Sequence, residues 1–435
     1  MPEINLEPIF PKYGLRKNPY FREALKIEGG IIPIESLVGR NKEKEQLSQL
    51  IQKGGGQCCL VVGEAGVGKT SLVNFIRAEA KQKFSYFTPF SEIGIEEGWK
   101  VTDVIINTLQ AIYIEIKKKK INLNNKDLIN SLEEIFEISL MLHDTEFKNN
   151  AWGVINTQTL TTLFRDLTDE IVSCGYKAII IQYNNLDNFN DSLELLKLLN
   201  NLRDFFQNSN VIFFFLGDSF LPKIISYKTR LRQIFHIPET KLDSFSYEEI
   251  KQIIDIRMEQ LRLSPSIEVI PPHSESSLKL LYNLYEGNIR DILNSLSNSL
   301  DLRNVRTLSS LKTKEILKEK AEEKFLKELS PTEQEVFNEI LNSFPINNSD
   351  LSEKTGKKRQ HISKYLKKFR EIGAIKFESK EGTKEYYRPT PEALWLKLEI
   401  TDKDYLEDEQ ERKRKMDFLQ KRLSTTQTKI NFFKK

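Results

Sequence analysis

Cysteine and histidine are scarce in this 435-residue chain, and their scarcity argues against two common kinds of site. The three cysteines, Cys58, Cys59 and Cys174, are too few and too oddly placed for a disulfide framework or a zinc site. The four histidines are scattered and never fall at the spacing of metal ligands. The sequence therefore predicts neither a disulfide-stabilised secreted domain nor a histidine-based metal centre.

Long apolar runs are also absent. The most apolar run, residues 211–216, is far too short to cross a bilayer. The first residues, Met-Pro-Glu-Ile-Asn-Leu-Glu, include acids and lack the apolar core of a signal peptide. We therefore expect a cytoplasmic protein with no membrane partner.

The chain has almost no excess of charge of one sign. It contains 65 basic and 62 acidic residues, a net charge of +3 with neutral histidines. This balance does not by itself demand a nucleic-acid partner, so any basic binding surface has to be local. The length is sufficient for two or three domains, each with its own core.

The most specific motif is a glycine-rich loop. Gly63-Glu64-Ala65-Gly66-Val67-Gly68-Lys69-Thr70 fits G-x-x-x-x-G-K-[ST], the phosphate-binding loop of P-loop NTPases. An apolar strand pattern precedes the motif, and a helical pattern begins at Ser71. Ser71 is also predicted to bind the nucleotide. The motif predicts ATP binding, with Lys69 on the β- and γ-phosphates and Thr70 as a ligand of Mg²⁺. The alternative is a glycine turn that merely precedes a helix.

A second nucleotide motif is expected where an apolar strand ends in acids. Residues 178–183 have the strand pattern, but Asn184 and Asn185 follow it. Asn184 can hydrogen-bond a metal-bound water without adding charge, and Asn185 cannot accept a proton. Asp187 is the nearest acid, and we expect it to reach the site only if the strand ends late. A later strand, 210–216, leads to Asp218, either a phosphate sensor or a helix cap.

The order of strands and helices predicts an α/β fold with a parallel sheet. The predicted divisions are an extended arm (1–30), an α/β nucleotide-binding core (31–240), a helical lid (241–312), a linker (313–328), a winged helix-turn-helix domain (329–398) and a charged helical or disordered tail (399–435). Near the start of the core, Leu37-Val38-Gly39-Arg40 is either part of the adenine pocket, with Arg40 in the site, or an ordinary turn.

The winged helix-turn-helix prediction includes a basic face. A capping box opens the first helix at Ser330, and a turn between two strand patterns follows the third helix. Residues 345–390 contain twelve basic and six acidic side chains, a net charge of +6. The face predicted to bind double-stranded DNA contains Lys357, Lys358, Arg359, Gln360, Ser363, Lys364, Lys367 and Lys368. The alternative is a winged module that contacts a partner protein.

Taken together, residues 31–395 resemble an AAA+ ATPase of the initiator type, similar to archaeal and eukaryotic origin-recognition proteins. The resemblance rests on the 37–40 segment, the phosphate loop, the Gly287-Asn288-Ile289-Arg290 segment and the C-terminal module. It implies that Arg290 touches the γ-phosphate from the lid, and that Arg230 or Arg232 is an arginine finger. The chain departs from the family at Asn184 and Asn185, where acids are usual, which places hydrolysis in doubt.

The resulting hypothesis is an ATP- and DNA-binding AAA+ switch that forms homo- or hetero-oligomers through its nucleotide face and hydrolyses ATP weakly. Three alternatives stay open. The chain could be an accessory ATPase of a mobile element or of an anti-phage defence system, or a transcription regulator that binds nucleotide without hydrolysing it. A partner protein is a further possibility.

Overall fold

A computed structural model describes residues 7–143, 156–189, 191–236, 238–300, 307–381, 383–402, 404–406, 408, 409 and 413, without the side chains of 138–143, 380 and 381. Most of the predicted tail lies outside these residues. None of the described helices is long and apolar enough to cross a membrane. The chain divides into two compact units, a central unit, Glu23–Ile256, and a terminal unit, Met1–Arg22 with Arg257–Lys435.

The secondary structure alternates between strands and helices up to residue 242 and becomes mainly helical afterwards. The strands are Gln57–Gly63 (β1), Ile93–Gly94 (β2), Ile179–Asn184 (β3), Val211–Gly217 (β4), Thr240–Leu242 (β5), Ile346–Asn347 (β6), Ile375–Glu381 (β7) and Lys384–Pro389 (β8). The helices up to β5 are Asn41–Gln52 (α1), Lys69–Lys83 (α2), Val101–Lys119 (α3), Lys126–His143 (α4), Thr157–Ser173 (α5), Ser192–Asn201 (α6), Arg203–Phe206 (α7), Leu221–Ser226 (α8) and Thr229–Arg232 (α9). The later helices are Tyr247–Gln260 (α10), Glu275–Tyr285 (α11), Ile289–Asn298 (α12), Ser310–Phe325 (α13), Pro331–Asn342 (α14), Asn348–Thr355 (α15) and Arg359–Glu371 (α16).

The central unit is built on five parallel strands in the order β2-β3-β4-β1-β5. Val61 of β1 is in register with Leu216 of β4, and Ile181 of β3 with Phe213 of β4. Every residue of β4 is buried, as expected for a strand covered on both faces of a parallel sheet. The predicted α/β fold with a parallel sheet is confirmed.

Alternate residues of each strand face two different cores. Phe213 and Tyr183 lie in a large cluster with residues of α3 to α8, whereas Phe214 lies in a smaller cluster with residues of α1 and α2. Successive side chains of a strand point to opposite faces, so the even-numbered residues of β3 face the helix that follows the phosphate loop. Gln182 and Asn184 therefore lie on the α2 side of the sheet.

The terminal unit joins the lid helices to the C-terminal module through buried hydrogen bonds. The Trp395 indole N–H donates to the hydroxyl of Tyr285 and also lies within 3.0 Å of the Ser295 hydroxyl. The predicted linker, 313–328, forms most of α13 and a 3₁₀ turn at Leu326–Glu328. In the predicted N-terminal arm, Phe10–Tyr13 is a 3₁₀ helix, and Tyr20 is buried with its hydroxyl 3.0 Å from Nδ1 of His273.

The predicted capping box and hairpin of the C-terminal module are present. The Ser330 hydroxyl accepts from the Glu333 N–H, and the Glu333 carboxylate accepts from the Ser330 N–H. Helices α14, α15 and α16 are followed by the antiparallel pair β7 and β8, and the short strand β6 pairs with β8. These are the elements that a winged helix-turn-helix domain requires.

Asp291, in the first turn of α12, makes the stability of the terminal unit depend on pH. Burial raises the pKa of its carboxyl to about 6, although the nearby charge of Lys376 opposes the shift. A raised carboxyl pKa makes the native state bind more protons than the unfolded state. The stability therefore falls as the pH rises from about 4 to about 6 and stays at the lower level above that.

We predict that Asp291→Asn raises the free energy of unfolding at pH 7 by on the order of 1–3 kcal/mol and leaves it nearly unchanged at pH 4. Urea unfolding at both pH values measures this difference. Asp402→Asn, at an exposed position of the same unit, controls for the loss of one negative charge. An equal effect of Asp291→Asn at both pH values would contradict the assignment.

Candidate nucleotide site and basic face

The phosphate loop connects β1 to α2 with the geometry expected from its glycines. Gly66 and Gly68 have φ values of 96° and 94°, a conformation that side-chain-bearing residues rarely adopt. A Cβ atom on Gly63 would lie 2.5 Å from the carbonyl oxygen of Leu242. Helix α2 has no side-chain hydrogen bond at its N-cap residue, Gly68, and the N-terminus of a helix attracts anions.

Lys69, the first residue of α2, folds back over this loop. Its Nζ donates to the carbonyl oxygens of Gly63 and Glu64, at 2.7 and 3.0 Å. The Asp187 carboxylate lies 3.9 Å from the same ammonium group. Only 10% of the Lys69 side chain and 26% of the Asp187 side chain are exposed. The structure thus places a carboxylate beside the cation of the phosphate loop.

The position of Asp187 differs from the sequence-based expectation, and the turn after β3 explains why. The strand ends at Asn184, and Asn185 has a left-handed conformation with φ of 68°. The buried Leu186 then fixes the chain, since its N–H donates to the carbonyl of Leu216 at the end of β4. This sharp turn brings Asp187 towards the loop without any extension of the strand. The sequence signal for this turn is Asn185 itself, because asparagine tolerates the left-handed conformation.

Asp218 directly follows β4, and its burial and the charges of Asp187 and Lys69 all affect the pKa of its carboxyl. Its Oδ1 accepts from the N–H groups of Phe220 and Leu221, at the start of α8. Burial raises the pKa of its carboxyl, the N–H groups oppose the rise, and the negative charge of Asp187 adds to it. Asp218 is therefore bound to backbone N–H groups at the start of α8, and its pKa also responds to Asp187 and Lys69. Its role as a phosphate sensor stays a prediction.

The two asparagines after β3 have different surroundings. The Oδ1 atom of Asn184 accepts from Nε2 of Gln182 at 2.9 Å, and the residue is half-buried. Asn185 is exposed, and its Nδ2 lies 2.8 Å from where a Cβ on Gly94 would be. The amide oxygen of Asn184, expected to hydrogen-bond a metal-bound water, is therefore engaged with its own strand.

Arg40 lies against the underside of the phosphate loop. One of its NH2 hydrogen bonds goes to the carbonyl of Val67 in the loop, and the other goes to the carbonyl of Asp243, at 2.9 and 2.7 Å. The guanidinium carbon is 4.0 Å from the centre of the Phe245 ring. Burial lowers its pKa, and the Glu43 carboxylate, 3.5 Å away, opposes the shift. Arg40 is not the surface residue of an ordinary turn, because it is buried and supports the loop.

The other predicted site residues are distributed over both units. Thr70 is half-buried at the second position of α2, and the Ser71 hydroxyl accepts from the N–H of Leu25. Arg230 and Arg232 are exposed on the short helix α9. Arg290 is exposed at the second position of α12, in the terminal unit. The roles of these three arginines stay predictions.

The predicted DNA-binding residues share one region of the terminal unit but differ in their ion pairs. Lys357 pairs with Glu335 at 3.0 Å, and Lys368 with Glu333 at 2.8 Å. Within the part of the chain that the structure describes, Lys358, Arg359 and Lys364 form no ion pair with an acid, and they are exposed along with Gln360, Ser363 and Lys367. The free positive charge is therefore concentrated at the start and middle of α16.

A groove of about 520 Å³ lies between α16, the start of α15 and the β7–β8 hairpin. Four basic side chains line it, with polar side chains and a single acid, Glu385. The basic residues are Arg359, Lys367, Arg370 and Lys384, and the polar ones include Asn347, Asn348, Ser349, Ser363 and Thr383. This composition suits a polyanion.

The described residues contain no group of three or more His, Cys, Asp or Glu side chains that could hold a metal ion. A protein-only metal cage is thus not found there. The donors near the loop, the Thr70 hydroxyl and the Asp187 carboxylate, instead fit an Mg²⁺ ion that takes its other ligands from phosphate and water.

Residues 36–113 match the family model described as the AAA ATPase domain. The match contains Arg40 and the whole phosphate loop. It confirms the predicted AAA-type ATPase domain over this segment, and that family implies nucleotide binding. No protein with a curated description matches the chain.

Several solved structures resemble the chain at low identity. The ORC2 protein of Aeropyrum pernix, in ADPNP–ADP complexes, is 13% identical with a TM-score of 0.45, over 88% of this chain and 96% of that one. The ORC1 protein of Aeropyrum pernix in complex with DNA is 11% identical with a TM-score of 0.44, over 83% and 92%. The Walker-type ATPase paby2304 of Pyrococcus abyssi is 14% identical with a TM-score of 0.45, over 88% and 100%.

We predict that Lys69→Ala weakens ATP binding by at least about a hundredfold, because it removes the ammonium group that lies over the loop. Isothermal titration calorimetry measures the affinity. Lys83→Ala, at the exposed end of the same helix, is the matched control and should bind like the unmodified chain. Tight binding by Lys69→Ala would contradict the assignment of the site.

Proposed function

We propose that this protein is an ATP-binding, DNA-binding switch in which the phosphate loop holds ATP·Mg²⁺ and Asp187 supplies the carboxylate of the metal site. The observation that supports it most strongly is the 3.9 Å approach of Asp187 to Lys69 beside an uncapped helix N-terminus. A phosphate chain there would receive N–H donors from the loop and from the first turn of α2. Lys69 would exchange its two loop carbonyls for phosphate oxygens, which carry more negative charge.

The residues of this site would hold the metal ion but would not activate a water molecule. Mg²⁺, when bound, would offset the negative charge of the phosphates. Thr70 and Asp187 would hold it from the protein side. Asn185 is exposed and has no basicity, so no residue at the usual position takes a proton from water. We infer that the protein binds ATP tightly and hydrolyses it slowly, as a switch requires.

We predict that Asn184→Asp together with Asn185→Glu raises the rate of phosphate release by at least about tenfold, since a missing general base typically costs on the order of 10²–10⁴-fold. Asn185→Asp is a useful companion, because aspartate tolerates the left-handed conformation at this position better than glutamate. Phosphate release under saturating ATP measures both.

Asp187→Ala should reduce metal-dependent nucleotide binding in the same preparation. Brisk hydrolysis by the unmodified chain that disappears in Asp187→Ala would make Asp187 the catalytic acid and contradict the slow switch. Brisk hydrolysis that survives Asp187→Ala would place the acid in another segment or another subunit.

The proposed DNA-binding surface is the winged-helix face formed by α16 and the groove beside the hairpin. Lys358, Arg359 and Lys364 form no ion pair with an acid among the described residues, so they can contact phosphates without first breaking an ion pair. Lys357 and Lys368 would contribute less, because glutamates of α14 already offset their charge. The local charge of +6, against +3 for the chain, supports a polyanionic partner over a protein partner.

We predict that alanine at Lys358, Arg359 and Lys364 together removes most of the affinity for duplex DNA, and that the loss is larger at low salt because fewer counterions are released. A triple alanine variant at Lys318, Lys324 and Lys327 removes equal charge elsewhere in the terminal unit and should bind normally. Fluorescence anisotropy over a range of salt concentrations measures both. Equal losses in the two variants would contradict a specific face, and no binding by the unmodified chain at low salt would favour a partner protein.

The proposed setting is the cytoplasm, where the protein would act as an initiator or loader, or as the ATPase of a mobile element or defence locus. Oligomers would form through the nucleotide face, with Arg230 or Arg232 offered to a neighbour and Arg290 sensing the nucleotide from the lid. The second candidate is a transcription regulator that stays monomeric, which the Asn184–Asn185 pair favours. Gel filtration with and without ATP separates them, since a monomer under every condition favours the regulator.

A further inference from the structure

A fully buried arginine, Arg77 of α2, lies behind the nucleotide site. Its side chain is 0% exposed, and all five of its N–H groups are hydrogen-bonded. The acceptors are Oγ1 of Thr88, Oδ1 of Asn74, Oε1 of Gln182 and the carbonyls of Pro89 and Ser91. Burial lowers the pKa of Arg77 to about 10, so it remains charged at neutral pH. An arginine can only donate, which fixes the direction of every bond in this cage.

Arg77 therefore also sets the orientation of the side-chain amides at the end of β3. NH1 of Arg77 is 3.0 Å from Oε1 of Gln182, so the amide oxygen of Gln182 has to face the arginine. The amide nitrogen of Gln182 then faces forward along the strand and donates to Oδ1 of Asn184 at 2.9 Å. Gln182 is 1% exposed and cannot turn its amide over without leaving Arg77 facing another donor.

We propose that this relay makes Asn184 a hydrogen-bond donor to the nucleotide phosphates rather than a ligand of the metal. The oxygen of its amide is turned back to Gln182, and the NH₂ group is on the opposite branch, at the edge of the sheet where β3, β4 and β1 end. An amide N–H cannot coordinate a cation, but it can bind a phosphate oxygen. The inference rests on the proposed nucleotide site, and it makes Arg77 and Gln182 positioning residues.

The consequence is that Asn184 contributes to nucleotide binding whether or not Mg²⁺ is present. A metal ligand at this position would contribute only in the presence of the metal. The two roles therefore differ in one measurable quantity, the effect of removing the side chain in chelator compared with its effect in Mg²⁺. Asp187 is then the residue that would supply the carboxylate ligand of the metal.

The first test is Asn184→Ala, with ATP titrated calorimetrically in EDTA and again in excess Mg²⁺. We expect the affinity to fall about ten- to a hundredfold in both buffers, as for loss of one hydrogen bond to a charged group. A loss confined to Mg²⁺, or no loss in either buffer, would overturn the inference. If the unmodified chain binds no ATP in either buffer, the proposed function itself fails, which is a different result.

The second test reverses the relay with Gln182→Glu. A glutamate keeps its oxygens on Arg77 and offers only an acceptor to residue 184, so the Asn184 amide should turn over and present its oxygen to the site. In this background, adding Asn184→Ala should lower ATP affinity mainly in Mg²⁺ and little in EDTA. Comparing variants within one background cancels the added negative charge.

A glutamate at position 182 would form a buried ion pair with Arg77 and so change the stability of the chain. Thermal unfolding therefore checks that the Gln182→Glu variant is folded. If that variant does not fold, Asn184→Ala in the two buffers still decides the inference. An Asn184→Ala effect that has the same metal dependence in both backgrounds would show that Gln182 does not orient Asn184, and would overturn the relay.

Discussion

The parallel pairing of β1 with β4 and of β4 with β3 is the constraint on which the nucleotide site depends. It brings the carboxyl ends of three strands to one edge, where the phosphate loop, Asp218 and the Asn184–Asp187 turn follow in turn. The pairing is stabilised by strands that are buried on both faces, with Phe213 on one side and Phe214 on the other. At that edge, Asn185 has a left-handed conformation, and Asp187 faces Lys69 two residues later.

In the proposed function, the same edge would bind nucleotide without the acids expected directly after β3. The strand end carries neutral amides, and the charge lies three residues further along, at Asp187. Five hydrogen-bond acceptors, instead of water, surround the buried guanidinium of Arg77. They stabilise its charge, although none of them is a carboxylate. Its fixed donor pattern then determines how Gln182, and through it Asn184, can present an amide to a ligand.

Local patterns in the sequence were sufficient for much of this structure. The phosphate loop, the buried strands, the capping box at Ser330 and the basic helix α16 all depend on residues within one turn or strand, and the family match over residues 36–113 agrees with the first of them. Contacts between distant residues could not be predicted in this way. Arg77 and Gln182 are 105 residues apart, and the glutamates that offset Lys357 and Lys368 lie on another helix.

The place of Asp187 shows a different limit. Its distance from Lys69 depends on the backbone conformation of Asn185 and on the burial of Leu186, neither of which follows from strand periodicity. The linker expected at 313–328 is another such case. Its many charged residues do not indicate burial, but Leu317, Ala321 and Phe325 are buried at a four-residue spacing along α13.

The most direct test of the account is the affinity of the protein–ATP complex for Mn²⁺, used as a paramagnetic substitute for Mg²⁺ and measured by electron paramagnetic resonance. If Asp187 is the carboxylate of the metal site, Asp187→Asn should weaken Mn²⁺ binding by at least about tenfold, since hard divalent cations favour charged oxygen ligands. Asn184→Ala should leave Mn²⁺ affinity unchanged. Unchanged Mn²⁺ affinity in Asp187→Asn, or a loss in Asn184→Ala, would contradict the account.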